Sequence, residues 1–305
     1  ELHEQETKSD FVVGDLFLGK IKKLAPNLNA AFVNIGTDKD AFLHYQDLGP
    51  QFLSYQKFLK DTISKKQQSP SLKNFEKVND INKMGTVDKV LTAGDLVLLQ
   101  ITKEPISTKG PRISTQISLT GRFLVLIPFD NKISVSKKVA NPEEKTRLKT
   151  LIESIRPEGF GVIIKTVAEG KKVAELHNDM NQLIKKWETT FKNIQKNKVP
   201  SKILSEEDKA SSILRDNFNQ DFVSIICDDE KMVDDMKAYI EVIAPERKNI
   251  VQFYDSHIPL LEYYNVEKQL KQSFGKHVNI PSSKGAYLVI EHTEALHVVD
   301  VNSGN

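Results

Sequence analysis

Between residues 11 and 102 the chain runs in short stretches of alternating apolar and polar side chains, each ended by glycine or a polar turn. The stretches are Asp15 to Lys22, Ala30 to Gly36, Asp40 to His44 and Gly94 to Thr102. A period of two puts alternate side chains on opposite faces of a strand, and strands of about five residues bent at glycines favour a small closed barrel over an open sheet. Gln51 to Lys89 breaks this rhythm. It carries Lys57, Lys60, Lys65, Lys66, Lys73, Lys77 and Lys83 with few acids, so its composition predicts an insertion about residues 51–89, partly disordered and partly helical, lying outside the barrel.

Strands resume at Ile113 to Ser118, Phe123 to Ile127 and Lys132 to Val135. A helix is predicted from Asn141 to about Ile155, because an Asn cap, Pro142 in the first turn and Glu143 and Glu144 beside the positive end of the dipole are all start signals. Gly161 to Thr166 reads as a buried strand, and Leu183, Ile184, Trp187, Phe191 and Ile194 recur at helical spacing until Pro200. Beyond it, helices near 205–218, 231–243 and 266–274 alternate with a strand at 222–227. A closing hairpin has arms 286–291 and 295–301. The fold class is therefore α+β, and 305 residues leave room for two or three domains.

Composition narrows the function classes. The 43 Lys and Arg nearly balance the 41 Asp and Glu, so any polyanion site must be local. One cysteine, Cys227, excludes an internal disulfide framework or multi-cysteine zinc site and suits a reducing, cytoplasmic setting. No run reaches the ~18 apolar residues of a membrane span, and the acidic start is unlike a signal peptide. The chain begins without Met and stops just after a strand-like run, which leads to the expectation that it is a fragment.

Four groups of residues have chemistry to offer. Phe32 and Phe42 lie in barrel strands near Lys20, Lys22 and Lys23. Exposed, such rings stack on the bases of single-stranded nucleic acid while cations follow the phosphates; turned inward, they are barrel core. Thr108 to Arg112 is a turn in which Lys109 and Arg112 could meet a phosphate or simply be solvated. Lys165 and Thr166 emerge together at a strand end, as a phosphate grip or an ordinary strand exit. Asp300 and Asn302, two apart, share one face of a strand, where a carboxylate and an amide oxygen suit a hard cation such as Mg²⁺; one aspartate alone is not a metal site. Cys227 reads as a buried small hydrophobe, the histidines lack metal-ligand spacing, and neither a phosphate-binding glycine loop nor a Ser/His/Asp set is present.

Taken together, several strings resemble the ribonuclease E/G family of bacterial endoribonucleases. They are Val13 to Ile21, Asn29 to Gly36, Ala41 to His44, Lys103 to Thr115, Thr120 to Val125, Gly161 to Gly170, Gly285 to Ala295 and Asp300 to Asn302, in the family's order across nearly the whole chain. The lysine-rich insertion and residues 177–280 match poorly.

The resemblance implies an S1-type OB β-barrel over 10–115, a 5′-end sensor subdomain over 116–200, part of a ribonuclease-H-like subdomain over 201–280 and the start of a DNase-I-like catalytic subdomain over 281–305. It implies Mg²⁺-dependent cleavage of single-stranded RNA in rRNA and mRNA processing and decay, with Asp300 as metal ligand and Asn302 beside it. A second aspartate and a zinc-binding cysteine pair that links protomers are expected beyond residue 305, so the fragment is expected to be inactive and the full-length protein a homo-oligomer. Phe32, Phe42 and Lys109 match RNA-contacting positions, and Gly121, Val125, Lys165 and Thr166 match a 5′-monophosphate pocket. Lys165 stands where the family has Arg, which keeps the charge but loses the bidentate fork. The alternative is a non-catalytic single-stranded RNA-binding module.

Overall fold

The computed structural model describes residues 11–105, 110–207, 209–219, 221–281 and 283–303. The chain forms two compact units that divide between Phe218 and Asn219.

The first unit begins with β1 (Leu16–Ala25), β2 (Ala30–Asn34), β3 (Ala41–His44), β4 (Leu96–Lys103) and β5 (Arg112–Ser114). They pair in the order β1-β2-β3-β5-β4, and β4 pairs again with β1, which closes a five-stranded, OB-like barrel. Only β3 and β5 run parallel. Closure leaves no open sheet edge between these strands. The interior is filled mainly by small and branched side chains around Phe17: Ile21, Val33, Ala41, Leu43, Leu99, Ile101 and Ile113 are all essentially sealed. Space there is so limited that a Cβ on Gly19 would lie 2.8 Å from Leu99 and 2.9 Å from Val33.

The lysine-rich stretch is packed more closely than its composition predicts. Helix α1 (Phe52–Ile63) buries Phe52, Tyr55, Phe58 and Leu59. Residues 64–86 lack helix or strand but are held by particular bonds. The Trp187 indole N–H donates to the Pro70 carbonyl at 2.8 Å, Lys77 Nζ donates to the Phe129 carbonyl at 2.7 Å, and Leu72 is buried. The charge count misses this because the anchors are contacts with Phe129 and Trp187, far along the chain.

A second sheet follows, built from β6 (Leu119–Thr120), β7 (Leu124–Pro128), β8 (Ile133–Val135) and β9 (Phe160–Ile164) in the order β6-β7-β9-β8. β8 and β9 are parallel and are joined through α2 (Pro142–Ile155), whose Asn141 cap accepts the Glu143 N–H at 2.8 Å. The long helix α3 (Val173–Lys196) presents Leu176, Met180, Leu183, Trp187, Phe191 and Ile194 to the core. β10 (Ser201–Leu204) then returns to pair with β1, whose Leu16 and Leu18 lie in the same cluster as Trp187 and Phe129, apart from the barrel's own core of Phe17, Ile21, Val33 and Leu99. Helix α4 (Lys209–Asn217) completes the unit. The divisions at 115 and 200 implied by the resemblance thus both fall inside this unit.

In the second unit β11 (Ile225–Cys227) and β12 (Val251–Phe253) pair in parallel across α5 (Glu230–Ile243), which Asp229 caps through the Met232 N–H at 2.7 Å. Short helices α6 (Leu260–Tyr263) and α7 (Val266–Ser273) lead to an antiparallel meander of β13 (His277–Asn279), β14 (Tyr287–His292) and β15 (His297–Asn302). Among the described residues no helix is long and apolar enough to cross a membrane.

Candidate nucleic-acid interface

Pleating decides where the two phenylalanines go. Ala31, Val33, Ala41 and Leu43 point into the barrel, so Phe32 and Phe42 between them point out, and both are half-buried. They sit opposite each other on β2 and β3 with ring centroids 5.8 Å apart, edge to face. The row continues sideways in register: Lys23 pairs with Phe32, Arg112 with Phe42, and Lys103 with Arg112. Two aromatic rings are therefore flanked by cations on both sides.

Lys23 Nζ lies 4.8 Å from the Phe32 centroid. The Arg112 guanidinium is anchored by a forked pair of bonds to Asp47 at 3.1 and 3.0 Å. His44 Nδ1 accepts the Gln46 N–H at 3.2 Å. Lys23, Phe32, Phe42, His44, Lys103 and Arg112 line a groove of about 1040 Å³ together with the acids Asp40 and Glu104. Lys109, expected beside them, lies outside the described residues.

Gly121, Val125, Lys165 and Thr166 gather at the β6–β7 turn and the end of β9. The Lys165 N–H donates to the Phe123 carbonyl, Val125 pairs with Ile163, and Thr166 Oγ1 is 2.9 Å from Ser136 Oγ. Beneath the turn lies an acid not singled out from the sequence. Buried Asp179 accepts the backbone N–H groups of Arg122, Phe123 and Leu124, all at 2.9 Å. A Cβ on Gly121 would come within 2.7 Å of that carboxylate, so glycine is what lets it approach. Asp179 falls on the apolar stripe Leu176, Met180, Leu183, and a charge on such a stripe was the legible signal.

Lys165 Nζ is engaged twice, by the Gly121 carbonyl at 2.7 Å and by Asp216 Oδ1 of α4 at 2.7 Å. Burial would raise the Asp216 carboxyl pKa, but hydrogen bonds from Lys165 and Arg215 outweigh it and hold that pKa below the usual range. Arg215 is buried and bridges Glu206, Glu207 and Asp216. Burial would weaken its proton affinity, yet these acids raise it.

In the second unit Asp300 and Asn302 share a face of β15, opposite Val289 and Tyr287. Asn302 Nδ2 donates to Asp300 Oδ2 at 3.1 Å, and the carboxylate is exposed. This is a hard-oxygen donor pair of the kind that magnesium accepts while keeping water. Among the described residues no group of three or more His, Cys, Asp or Glu side chains is placed to hold a metal. Cys227 is buried, with its sulfur accepting the Asp229 N–H.

A model of the ribonuclease E/G family matches residues 118–305. The chain belongs to the ribonuclease E/G family. Relatives extend the match across the barrel. A Nostoc sp. protein named Ribonuclease E is 31% identical over 297 residues, covering 96% of this chain and 39% of that protein. Proteins named Ribonuclease G from Haemophilus influenzae and Escherichia coli K12 are 31% and 29% identical over 304 residues, covering all of this chain and 58% of each of theirs. This ribonuclease E/G chain therefore spans about half of the length of those relatives.

Proposed function

We propose that this chain is the RNA-holding and end-sensing portion, with the start of the catalytic subdomain, of an endoribonuclease that cuts single-stranded RNA during RNA processing. The observation that carries the reading is the outward row Lys23, Phe32, Phe42, Arg112 on the barrel wall. Two rings for bases and flanking cations for phosphates are what an unpaired strand needs, and stacking is indifferent to sequence. Residues 10–115 act as the S1-type barrel, with Lys109 joining the RNA contacts, and 116–200 as the sensor of a 5′-monophosphate. Residues 201–280 form the ribonuclease-H-like part, and 281–305 open the DNase-I-like part.

The donor chemistry of Asp300 fits Mg²⁺, and in this reading Asp300 holds the ion while Asn302 fixes the carboxylate. The chemistry a bound magnesium supplies is polarisation of the scissile phosphate and a more acidic water. Water adds to phosphorus and the P–O3′ bond breaks, which leaves a 3′-hydroxyl upstream and a 5′-phosphate downstream. The barrel holds the strand extended, and binding at the sensor adds affinity remote from the chemistry. In this reading the 305 residues alone bind RNA and cut it poorly, because one carboxylate and one amide do not complete a magnesium site. Self-association belongs to the full-length protein in this reading.

The test is cleavage of a 5′-monophosphorylated single-stranded oligoribonucleotide by the full-length protein with magnesium, beside its Asp300→Asn variant. Loss of cleavage with retained binding is expected. If the unaltered protein binds RNA but never cuts it, the chain is an RNA tether instead.

A further inference from the structure

The pocket proposed for the 5′-phosphate already contains an anion. Asp216 Oδ1 sits 2.7 Å from Lys165 Nζ, where the lysine meets the Gly121 carbonyl. Two of the three ammonium donors are thereby used, and the single cation of the proposed grip is neutralised by a carboxylate of its own chain. The placement of Asp216 is not what its helix favours. It lies in the last turn of α4, where the backbone dipole is negative and an acid is unfavourable. Its cationic neighbours are what keep it there.

Asp216 also has somewhere to go. Arg215 Nε lies 3.2 Å from the same oxygen, and Arg215 is itself tied down by Glu206 and Glu207 at 2.8 and 3.1 Å. The Asp216 side chain is 45% exposed, against 20% for Lys165, so it can swing toward water and Arg215 without unpacking a core. A phosphate at Lys165 would meet the Asp216 carboxylate as a like charge, so the two anions exclude each other.

We propose that Asp216 is a built-in competitor of the 5′-phosphate, a carboxylate that holds the sensor lysine closed until a phosphorylated RNA end displaces it. The proposal rests on reading this pocket as the 5′-end site. It supplies a threshold, because apparent affinity falls by the fraction of molecules in which Lys165 is free. A 5′-hydroxyl end, with no charge to offer, leaves the Lys165–Asp216 pair in place.

The test compares 5′-monophosphorylated with 5′-hydroxyl versions of one single-stranded oligoribonucleotide, binding to the 305-residue chain. The readout is the ratio of the two affinities. Asp216→Asn is expected to raise that ratio roughly threefold to tenfold, Asp216→Glu to keep it near the original, and Lys165→Ala to abolish it. Thermal melting of each variant establishes that it is folded, and Asp216→Ser replaces the Asn variant should that one melt early.

An unchanged or lower ratio in Asp216→Asn, with the preference lost in Lys165→Ala, overturns the competitor and keeps the pocket. A preference that survives Lys165→Ala overturns the pocket and the competitor together.

Discussion

At the barrel wall a phenylalanine and its neighbours compete for the same interior, and the volume enclosed by five strands settles which of them enters. Gly19 has no room for a Cβ, the sealed positions of β2 and β3 are taken by Ala, Val and Leu, and Phe17 of β1 takes part of the remaining interior. Alternation alone shows that Phe32 lies opposite Ala31 and Val33; it does not show which set faces in. We expect Phe32→Ala and Phe42→Ala each to weaken single-stranded RNA binding by about 1–3 kcal/mol with little change in melting temperature, measured by fluorescence anisotropy and thermal melting. A large loss of stability with intact binding would show the rings to be packing instead. Asp179→Ala should behave the opposite way, because it strands three N–H groups that now bond to a buried carboxylate. Its expected cost is roughly 3 kcal/mol of folding stability, read by denaturant unfolding.

At the scale of elements, α3 and α4 show what local pattern does and does not reveal. The 3.6 period of α3 is plain in the sequence, and so are the start signals of α2 and the alternation of the barrel strands. That β10 returns to β1 is not legible, because strand pairing across such a separation is decided by the shared core and by no nearby residue. The lysine-rich stretch misleads for a related reason: its anchors, Pro70 on Trp187 and Lys77 on Phe129, are contacts with residues far along the chain. Trp187→Ala is expected to cost about 3–5 kcal/mol, measured by chemical denaturation, since it opens the cavity on which α1, β9 and this stretch converge.

The charge pair between α4 and β9 predicts a pH effect of definite sign. The folded Asp216 carboxyl titrates below its unfolded value because Lys165 and Arg215 outweigh its partial burial. Its stabilisation is therefore present above the unfolded pKa, about 4, and is lost as pH falls through the folded one. The melting temperatures of the original chain and Asp216→Asn should differ at pH 6–7 by the equivalent of about 0.5–1 kcal/mol, a figure reduced for solvent exposure, and converge once pH has fallen below the folded pKa.

For the whole molecule, the two units carry separable parts of the proposed reaction. The first holds the aromatic row over the barrel core and the proposed Lys165 pocket over the core of the second sheet, while Asp300 and Asn302 stand on the β14–β15 hairpin of the second unit. Family membership was legible because several short strings match the family in order along the chain. The acids that bond to those stretches, Asp179 and Asp216, were not, since each gains its meaning from a contact across the fold. Such a division of labour predicts that binding and cutting come apart. Asp300→Asn in the full-length protein should leave oligoribonucleotide affinity within about twofold while cleavage falls by roughly 10²-fold or more, as expected when a metal-holding charge is lost. Chelating divalent ions should mimic that variant in the unaltered protein, and restored Mg²⁺ should rescue the unaltered protein alone. Equal rescue of both by Mg²⁺ would place the metal on other side chains and remove Asp300 from the reaction.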